Sequence, residues 1–273
     1  MILTVIRALV AAALAVVFGV SVRSSVAAGA ANLSPPTSPP PHTPAASSFG
    51  GESTVGALFP PGSTTHICTA SVVSSPRGDL LLTAAHCIAG TGSGYVFDPG
   101  YRDGVAPFGS WTVTAAYAPK GWLARRSPEQ DFVFLVVAPE RRHGREEQIQ
   151  AVTGAELVGT SPVPGESIAV PAYPAGQGGN PISCTTRTYQ FGNYPAFNCT
   201  PYIGGTSGAP WLHRSGQSWT VVGIIGGLNQ GGCYPWTSYS PLFGKPFLRA
   251  MTEATTGGAP STLPAPLPPD CPS

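Results

Sequence analysis

Charged residues are scarce in this chain: Asp, Glu, Lys and Arg make up 10% of its 273 residues, and the formal net charge is +1. A nucleic-acid-binding protein needs a clustered basic surface to neutralise phosphates, and this composition does not supply one. Long apolar runs are also missing after the first 22 residues, and amphipathic helical repeats are missing before Pro246. These absences exclude nucleic acid as a partner and favour a fold built from strands.

Residues 1–30 are typical of a secretory signal peptide, because Arg7 precedes an apolar run and small residues suited to signal peptidase follow it. Cleavage after Ala28 and cleavage after Ala30 fit equally well. A membrane anchor is the alternative, but Arg23 interrupts the run, and a spanning helix needs about 20 apolar residues. We therefore expect a secreted, extracellular protein with no membrane attachment after cleavage.

Proline-rich segments flank the central part of the chain. Residues 31–52 contain "SPPTSPPPHTP" and almost nothing that could form a core, so we interpret them as a disordered leader or pro-segment. Residues 252–273 form a tail of similar composition, although Cys271 suggests that its end is tied down. The folded domain is expected over residues 53–251, which is enough for one domain or two small packed halves.

The cysteines number six, and an even number behind a signal sequence favours disulfides over free thiols. A zinc site formed by His66, Cys68, His86 and Cys87 is an alternative. Its spacing lacks the C-x-x-C clusters of structural zinc sites, and the expected compartment is oxidising. We therefore expect no metal and no cofactor.

Short β-branched and aromatic segments, separated by Gly and Pro, predict an all-β sandwich or barrel. The strand candidates are "VGALF", "CTASVV", "LLLTAA", "WTVTAAY", "DFVFLVV", "SIAVPAY" and "WTVVGIIGG". In "PFLRAMTEA", Phe247, Ala250, Met251 and Ala254 share one helical face and predict a short C-terminal helix. The charged stretch 139–148 is interpreted as an exposed loop between two halves of similar size.

Five histidines are present, so candidate general bases are few. His86 closes "LLLTAAHC" beside Cys87, and a disulfide there would fix the backbone that aims the ring; His66 is expected at the surface. Asp131 heads "DFVFLVV", the most apolar strand, where a buried carboxylate needs a hydrogen-bonding partner. A histidine that must keep one tautomer and tolerate a positive charge needs such a carboxylate. For Asp131 the alternative is a strand cap that faces solvent.

Ser207 lies in "GGTSGAP", residues 204–210, which is either an ordinary turn or a loop that holds a reactive hydroxyl. Glycine allows the N–H groups of Gly205 and Ser207 to converge on one oxyanion, and Gly208 leaves room for an acyl group. Each residue has an ordinary explanation by itself. The joint occurrence of these motifs in the order His, Asp, Ser favours nucleophilic catalysis.

Three stretches together carry a family resemblance: "LLTAAHC" at 81–87, "DFVFLVV" at 131–137 and "GGTSGAP" at 204–210. In this order they resemble the chymotrypsin-like (trypsin-fold) serine peptidases, and more closely their secreted bacterial, actinobacterial-type branch. The resemblance implies two six-stranded antiparallel β-barrels, over about residues 53–138 and 149–245, with the active site in the cleft between them.

The resemblance also implies a role for each motif residue. Ser207 would be the nucleophile, His86 the general base and then acid, and Asp131 the group that orients the imidazole and stabilises its protonated form. The N–H groups of Gly205 and Ser207 would form the oxyanion hole. The protein would then be a monomeric, secreted serine endopeptidase that cleaves peptides or proteins through an acyl-enzyme. A protease-fold binding protein with a closed or misaligned cleft is the alternative.

The sequence departs from the family pattern on both sides of the nucleophile. Thr206 stands where the trypsin-type pattern has Asp, so no buried carboxylate is available to bind a new N-terminal ammonium, and a zymogen switch of the animal type is not expected. Gly226 stands where many relatives have a serine that bonds the catalytic aspartate. Asp131 is therefore expected to have fewer partners, or to bond to water or backbone.

The specificity pocket is expected to involve Tyr202, Ile225, Gly226 and Gly227. The segments around these residues, "TPYIGG" and "VGIIGGLNQGGCYPW", contain no acidic residue that would select Arg or Lys. They also lack the histidine that glutamate-specific bacterial relatives place in the second segment. We expect an apolar or small side chain as the preferred occupant.

The disulfide pattern is implied only in part by the resemblance, which pairs Cys68 with Cys87. Two pairings remain for the other four cysteines. One joins Cys184–Cys199 across a hairpin and ties the tail through Cys233–Cys271. The other joins Cys199–Cys233 beside the pocket, as the family often does, and leaves Cys184–Cys271. The first is preferred.

Overall fold

The computed structural model describes residues 37–175, 179–269 and 271, so the predicted signal peptide lies outside the described part of the chain. The strands are β1 (Ser47–Ser48), β2 (Val55–Phe59), β3 (Cys68–Val72), β4 (Leu80–Thr83), β5 (Val96–Pro99), β6 (Trp111–Tyr117), β7 (Val133–Val137), β8 (Glu140–Arg142), β9 (Arg145–Glu147), β10 (Leu157–Val158), β11 (Ser167–Ala169), β12 (Ile182–Ser183), β13 (Thr185–Phe191), β14 (Tyr194–Asn198), β15 (Pro210–Ser215), β16 (Ser218–Ile224) and β17 (Thr237–Tyr239). The helices are α1 (Lys120–Arg125), α2 (Ile149–Thr153) and α3 (Lys245–Thr256), and short 3₁₀ turns occupy Ala85–Cys87, Pro128–Gln130 and Leu228–Gly231. Within the described ranges, no helix has the length and apolar character needed to cross a bilayer.

The first half of the domain is a closed six-stranded antiparallel barrel in the order β2-β3-β4-β7-β6-β5. Every residue of β2, β3 and β4 is buried, because these strands are covered on both faces. Gly56 in β2 has no space for a side chain, since an added Cβ would lie 2.3 Å from the Asp98 carbonyl oxygen. The predicted all-β fold with a six-stranded first barrel is thus confirmed.

The second half is a seven-stranded sheet in the order β10-β16-β15-β11-β13-β14-β17. Strand β10 joins β16 in parallel, with Leu157 opposite Thr220, whereas the other six strands pair antiparallel. Its core includes Trp211 and Phe197, whose ring centroids are 5.0 Å apart at 80°. The six expected strands are therefore present with a seventh added at one edge, and their pairings in the described residues do not close the sheet into a ring.

The predicted C-terminal helix is α3, and it packs on the first barrel. Phe247 is fully buried. Its ring centroid lies 5.0 Å from those of Phe132, just before β7, and Phe134, within β7. It also lies 3.8 Å from the ring centroid of Phe243. Burying a side chain of this size contributes about 1.5–3 kcal/mol. The chain thus returns from the second half to the first before the tail begins.

The charged connection is exposed or half-buried throughout residues 139–148, as expected, and it forms a hairpin of β8 and β9 with Glu140 opposite Glu147. Two expectations about individual segments are wrong. The leader, residues 31–52, was expected to be disordered, but part of it packs on the second half. The Ala46 N–H donates to the Thr200 carbonyl oxygen at 2.7 Å. His66 is buried, with 6% of its surface exposed, since the rings of Phe59, Tyr101 and Tyr173 surround it.

Candidate active site

His86 and Asp131 meet because their strands are neighbours. Strand β4 pairs with β7 so that Thr83 lies opposite Val133, and the residues just after β4 therefore lie beside those just before β7. The His86 Nδ1 atom lies 2.7 Å from Asp131 Oδ2, and the His86 backbone N–H donates to Asp131 Oδ1 at 2.9 Å. Both carboxylate oxygens thus fix the ring and its backbone.

The buried carboxylate of Asp131 has a third partner, the backbone of Gly227. Asp131 is fully buried, and the Gly227 N–H donates to its Oδ2 atom at 2.9 Å. A Cβ at Gly226 would lie 3.1 Å from the Asp131 carbonyl oxygen and 3.3 Å from Oδ2. The absence of a side chain at Gly226 therefore allows the backbone to approach, and a main-chain donor supplies a bond where the expected serine is missing.

Hydrogen bonds hold the loop that carries Ser207 in shape, and no ion pair between described residues involves it. Thr206 is 3% exposed, and both its backbone N–H and its hydroxyl donate to the Ile203 carbonyl oxygen, at 3.1 and 2.7 Å. The Gly208 N–H donates to the Ile225 carbonyl oxygen at 2.7 Å. Gly208 also requires glycine, since φ is +81° and an added Cβ would lie 2.1 Å from the Thr83 hydroxyl. Thr206 therefore braces the loop locally.

The peptide between Gly204 and Gly205 is oriented by a contact on its far side. The Gly204 carbonyl oxygen accepts a bond of 2.7 Å from the Ala175 N–H. Because the C=O and N–H of a trans peptide point in opposite directions, the Gly205 N–H points away from Ala175. Across the described chain, neither the Gly205 N–H nor the Ser207 N–H donates to a protein acceptor, and both residues line one cleft. Two backbone donors with no partner among the described residues thus belong to residues that line the same cleft.

Thr69, in β3 of the first barrel, is a contact that the sequence analysis missed. Its side-chain hydroxyl donates to the Gly205 carbonyl oxygen at 3.0 Å and accepts a bond of 2.9 Å from the Tyr173 N–H. Its backbone N–H donates to the Ser207 carbonyl oxygen at 2.8 Å. This fully buried residue links the loop that carries Ser207 to the first barrel. No local signal in "CTASVV" could have identified it.

The cleft has a volume of about 490 Å³ and is lined by both halves of the domain. His86 and Ser207 both line it, and the Ser207 hydroxyl makes no hydrogen bond with another described residue. Such bonds in ligand-free sites are often long and tighten when substrate binds. The structure therefore brings the predicted general base and the predicted nucleophile to one cavity.

The predicted pocket residues divide into two groups. Tyr202 and Ile225 line the cleft, whereas Gly226 and Gly227 lie behind it against Asp131. Burial raises the pKa of Tyr202 well above its usual value, so its hydroxyl is a neutral donor, bonded to the Val170 carbonyl oxygen. None of the described lining residues is acidic.

Three disulfides are present: Cys68–Cys87 beside the histidine, Cys184–Cys199 across the β12–β14 segment, and Cys233–Cys271 between the cleft and the tail. The structure thus has the first of the two pairings left open by the sequence. Cys68, His86 and Cys87 place their donor atoms within 4.8 Å of one another. A disulfide offers no thiolate ligands to zinc, so the zinc alternative does not fit this cluster.

Comparisons with known proteins agree with this geometry. A family model described as a trypsin-like peptidase domain matches residues 68–224, which is 157 of the 273 residues. The structure of protease Anisep from Arthrobacter nicotinovorans is 25% identical, with a TM-score of 0.65, and the match covers 77% of this chain and 98% of that one. A search of curated protein sequences finds no match.

Two further solved structures share the fold at lower identity. The thermostable serine protease AL20 from an extremophilic microorganism is 23% identical with a TM-score of 0.63, covering 75% of this chain and 98% of that one. A Glu endopeptidase in complex with MPD is 18% identical with a TM-score of 0.61, covering 78% and 97%. The chain therefore belongs to the trypsin-like peptidase family and is a serine-type peptidase.

Proposed function

We propose that this peptidase is a secreted endopeptidase that cleaves peptide bonds through an acyl-enzyme on Ser207, with His86 as the general base and acid and Asp131 as the carboxylate that orients it. The observation that carries the proposal is the convergence on one cleft of a carboxylate-bound histidine, a serine and two unpaired backbone N–H groups. The backbone N–H groups of Gly205 and Ser207 are available to donate hydrogen bonds to an oxyanion.

The proposed reaction follows from the positions of these groups. His86 removes the hydroxyl proton of Ser207 as Oγ attacks the peptide carbonyl carbon, and the resulting oxyanion accepts bonds from the Gly205 and Ser207 N–H groups. His86 then donates its proton to the leaving amine, which breaks the C–N bond. Water, activated by the same imidazole, hydrolyses the acyl ester and regenerates Ser207. Asp131 accepts a hydrogen bond from the His86 Nδ1–H throughout and stabilises the imidazolium.

The proposed preference at the cut is an apolar or small side chain. Tyr202 and Ile225 contribute apolar surface to the cleft, and the described lining includes no carboxylate that could pair with Arg or Lys. Burying a substrate cation there without a partner would be costly. The Glu endopeptidase among the structural relatives shares the fold with this chain. Glutamate is nevertheless not expected as the preferred residue of this chain, because its pocket segments lack the histidine of the glutamate-specific relatives.

Secretion is supported by the signal-like sequence at residues 1–30 and by three disulfides, which persist in oxidising compartments. N-terminal sequencing of protein recovered from the culture medium should place the first residue after Ala28 or Ala30, or later if the leader is also removed. Recovery of the chain only inside cells, with its first residues intact, would contradict secretion.

The proposed reaction is tested by cleavage of a diverse peptide library, with products identified by mass spectrometry. Internal cuts after apolar or small residues are expected for the mature protein, and none for the Ser207→Ala variant. Cleavage confined to sites after Arg, Lys or Glu would contradict the assigned pocket. Equal cleavage by both proteins would remove Ser207 from the mechanism.

A further inference from the structure

The tail after α3 follows the surface of the first barrel toward the catalytic histidine. The Ser261 N–H donates to the Ala116 carbonyl oxygen at 2.7 Å, and the Ala118 N–H donates to the Ser261 hydroxyl at 3.0 Å. Leu263 then exchanges two backbone hydrogen bonds with Gly90, of 2.7 and 3.0 Å. The Leu263 side chain is buried, with 3% of its surface exposed. The tail is therefore anchored at Gly90, which lies four residues beyond His86 in the chain.

Beyond this anchor the tail crosses to the other wall of the cleft. The Gln230 side-chain amide donates to the Leu267 carbonyl oxygen at 2.7 Å, and Cys271 is joined to Cys233. Gln230 and Cys233 line the active-site cleft, and both belong to the second half of the domain. Residues 259–269 together with Cys271, called the C-terminal strap, therefore connect the two walls, and the Cys233–Cys271 disulfide closes the strap covalently at its far end.

The strap contributes its own side chains to the cleft. Pro266 and Pro269 line the same cavity as His86 and Ser207. Proline has no backbone N–H and a fixed φ, so this stretch cannot pair fully with a substrate or with the enzyme as a β-strand, and it loses little entropy when held extended. A disulfide-closed, proline-rich segment is suited to act as a fixed wall.

The wall of the second half beneath the strap contains a turn with left-handed backbone. Asn229 and Gln230 both have positive φ, of 48° and 55°, a region that residues other than glycine adopt uncommonly. This conformation places the Gln230 side chain against Leu267. This turn and the strap therefore form one unit.

We propose that the C-terminal strap closes one end of the substrate cleft and limits how far a polypeptide extends from the scissile bond on that side. The enzyme would then favour short peptides and chain ends over long or folded segments. This inference rests on the proposed function, because it concerns the substrates of the same site. It assigns Pro266, Pro269 and Gln230 as specificity-determining residues.

The test compares three forms of the mature protein. One is the wild type, one is Cys233→Ser/Cys271→Ser with the strap present but open, and one carries Cys233→Ser and ends after Ala265. The last form keeps the Leu263 anchor and leaves no unpaired thiol. Labelling by a fluorophosphonate probe measures the active fraction of each form, and thermal unfolding shows whether each is folded.

The substrates are internally quenched peptides with one common scissile bond, lengthened one residue at a time on either side, together with a carboxymethylated unfolded protein. For the wild type, kcat/KM should fall once the peptide passes a fixed length on one side only. Truncation should raise kcat/KM for the long peptides and the unfolded protein about tenfold or more relative to kcat/KM for the shortest peptide. The open-strap form should lie between the other two.

Two failures are distinguishable. If all three forms label with the probe and show the same dependence on peptide length, the strap proposal is overturned while the proposed function stands. If folded protein of every form fails to label, the proposed function itself is overturned. A parallel loss of activity toward all peptides in folded, labelled truncated protein would also overturn the strap proposal, because it would show a role in holding the catalytic groups.

Discussion

Replacing Thr69 by valine tests whether the first barrel holds the proposed oxyanion hole in place. Valine keeps the shape of threonine but removes the hydroxyl that donates to the Gly205 carbonyl oxygen and accepts from the Tyr173 N–H. Neither backbone group has another protein partner among the described residues, so the substitution leaves both unsatisfied in a fully buried position. Each unsatisfied group costs about 1–3 kcal/mol.

The expected effect on rate follows from what the hydroxyl restrains. Loss of a complete oxyanion-hole donor costs about 10²–10³ in kcat, and Thr69→Val loosens the Gly205 peptide without removing its N–H. A tenfold loss of rate corresponds to about 1.4 kcal/mol, which is within the cost of one unsatisfied group. We therefore expect kcat to fall about 10- to 100-fold with KM little changed.

The assay is steady-state hydrolysis of a peptide amide, normalised to the fraction of protein that reacts with an active-site titrant. Thr69→Ser retains the hydroxyl and serves as the matched control, with kcat expected within about threefold of wild type. If Thr69→Val unfolds at a lower temperature yet keeps kcat within about twofold, the contact is structural only and the reasoning about the oxyanion loop is refuted.

Two further predictions concern the loop and its surroundings. Gly205→Ala should abolish activity, because φ at this position is +93° and the new Cβ would lie 2.4 Å from the Ala175 nitrogen. Gly204→Ala should retain activity, since no described atom lies within 4 Å of the position of its new Cβ. Similar activities measured for the two variants would contradict this prediction. Burial lowers the pKa of His66, so the folded protein binds a proton at this histidine less readily than the unfolded chain does. The free energy of unfolding should therefore decrease as pH falls below about 6.5. Thermal melts at pH 7 and pH 5 should show a smaller loss for His66→Phe than for wild type, and parallel losses would argue against this assignment.

The site residues whose placement in one cleft could be predicted are those that lie in short local motifs. His86 and Ser207 lie in short stretches of specific composition, and Asp131 was identified because a carboxylate before an apolar strand needs a partner. The strands of the first barrel were also predictable, since β-branched and aromatic segments alternate with turns. In each case the determining signal spans fewer than about ten residues.

The contacts that could not be predicted join segments far apart in the chain. Thr69 meets Gly205 across 136 residues, and Gly227 supplies the third bond to Asp131 across 96. The path of the tail depends on the backbone hydrogen bonds between Leu263 and Gly90. The proline-rich composition of the tail does not predict this pairing. Burial of His66 depends on three rings from separate segments. Tertiary packing decides these positions, and a single sequence does not encode it in local patterns.

The central claim is that Ser207 is a nucleophile activated by His86 and Asp131. The most direct measurement is peptide mapping by mass spectrometry after reaction of the folded, leader-free protein with a fluorophosphonate probe. The account predicts a single adduct on Ser207, lost in Ser207→Ala and reduced by several orders of magnitude in rate in His86→Ala. Absence of an adduct from folded wild-type protein, or an adduct on Ser207 formed equally fast without His86, would contradict it.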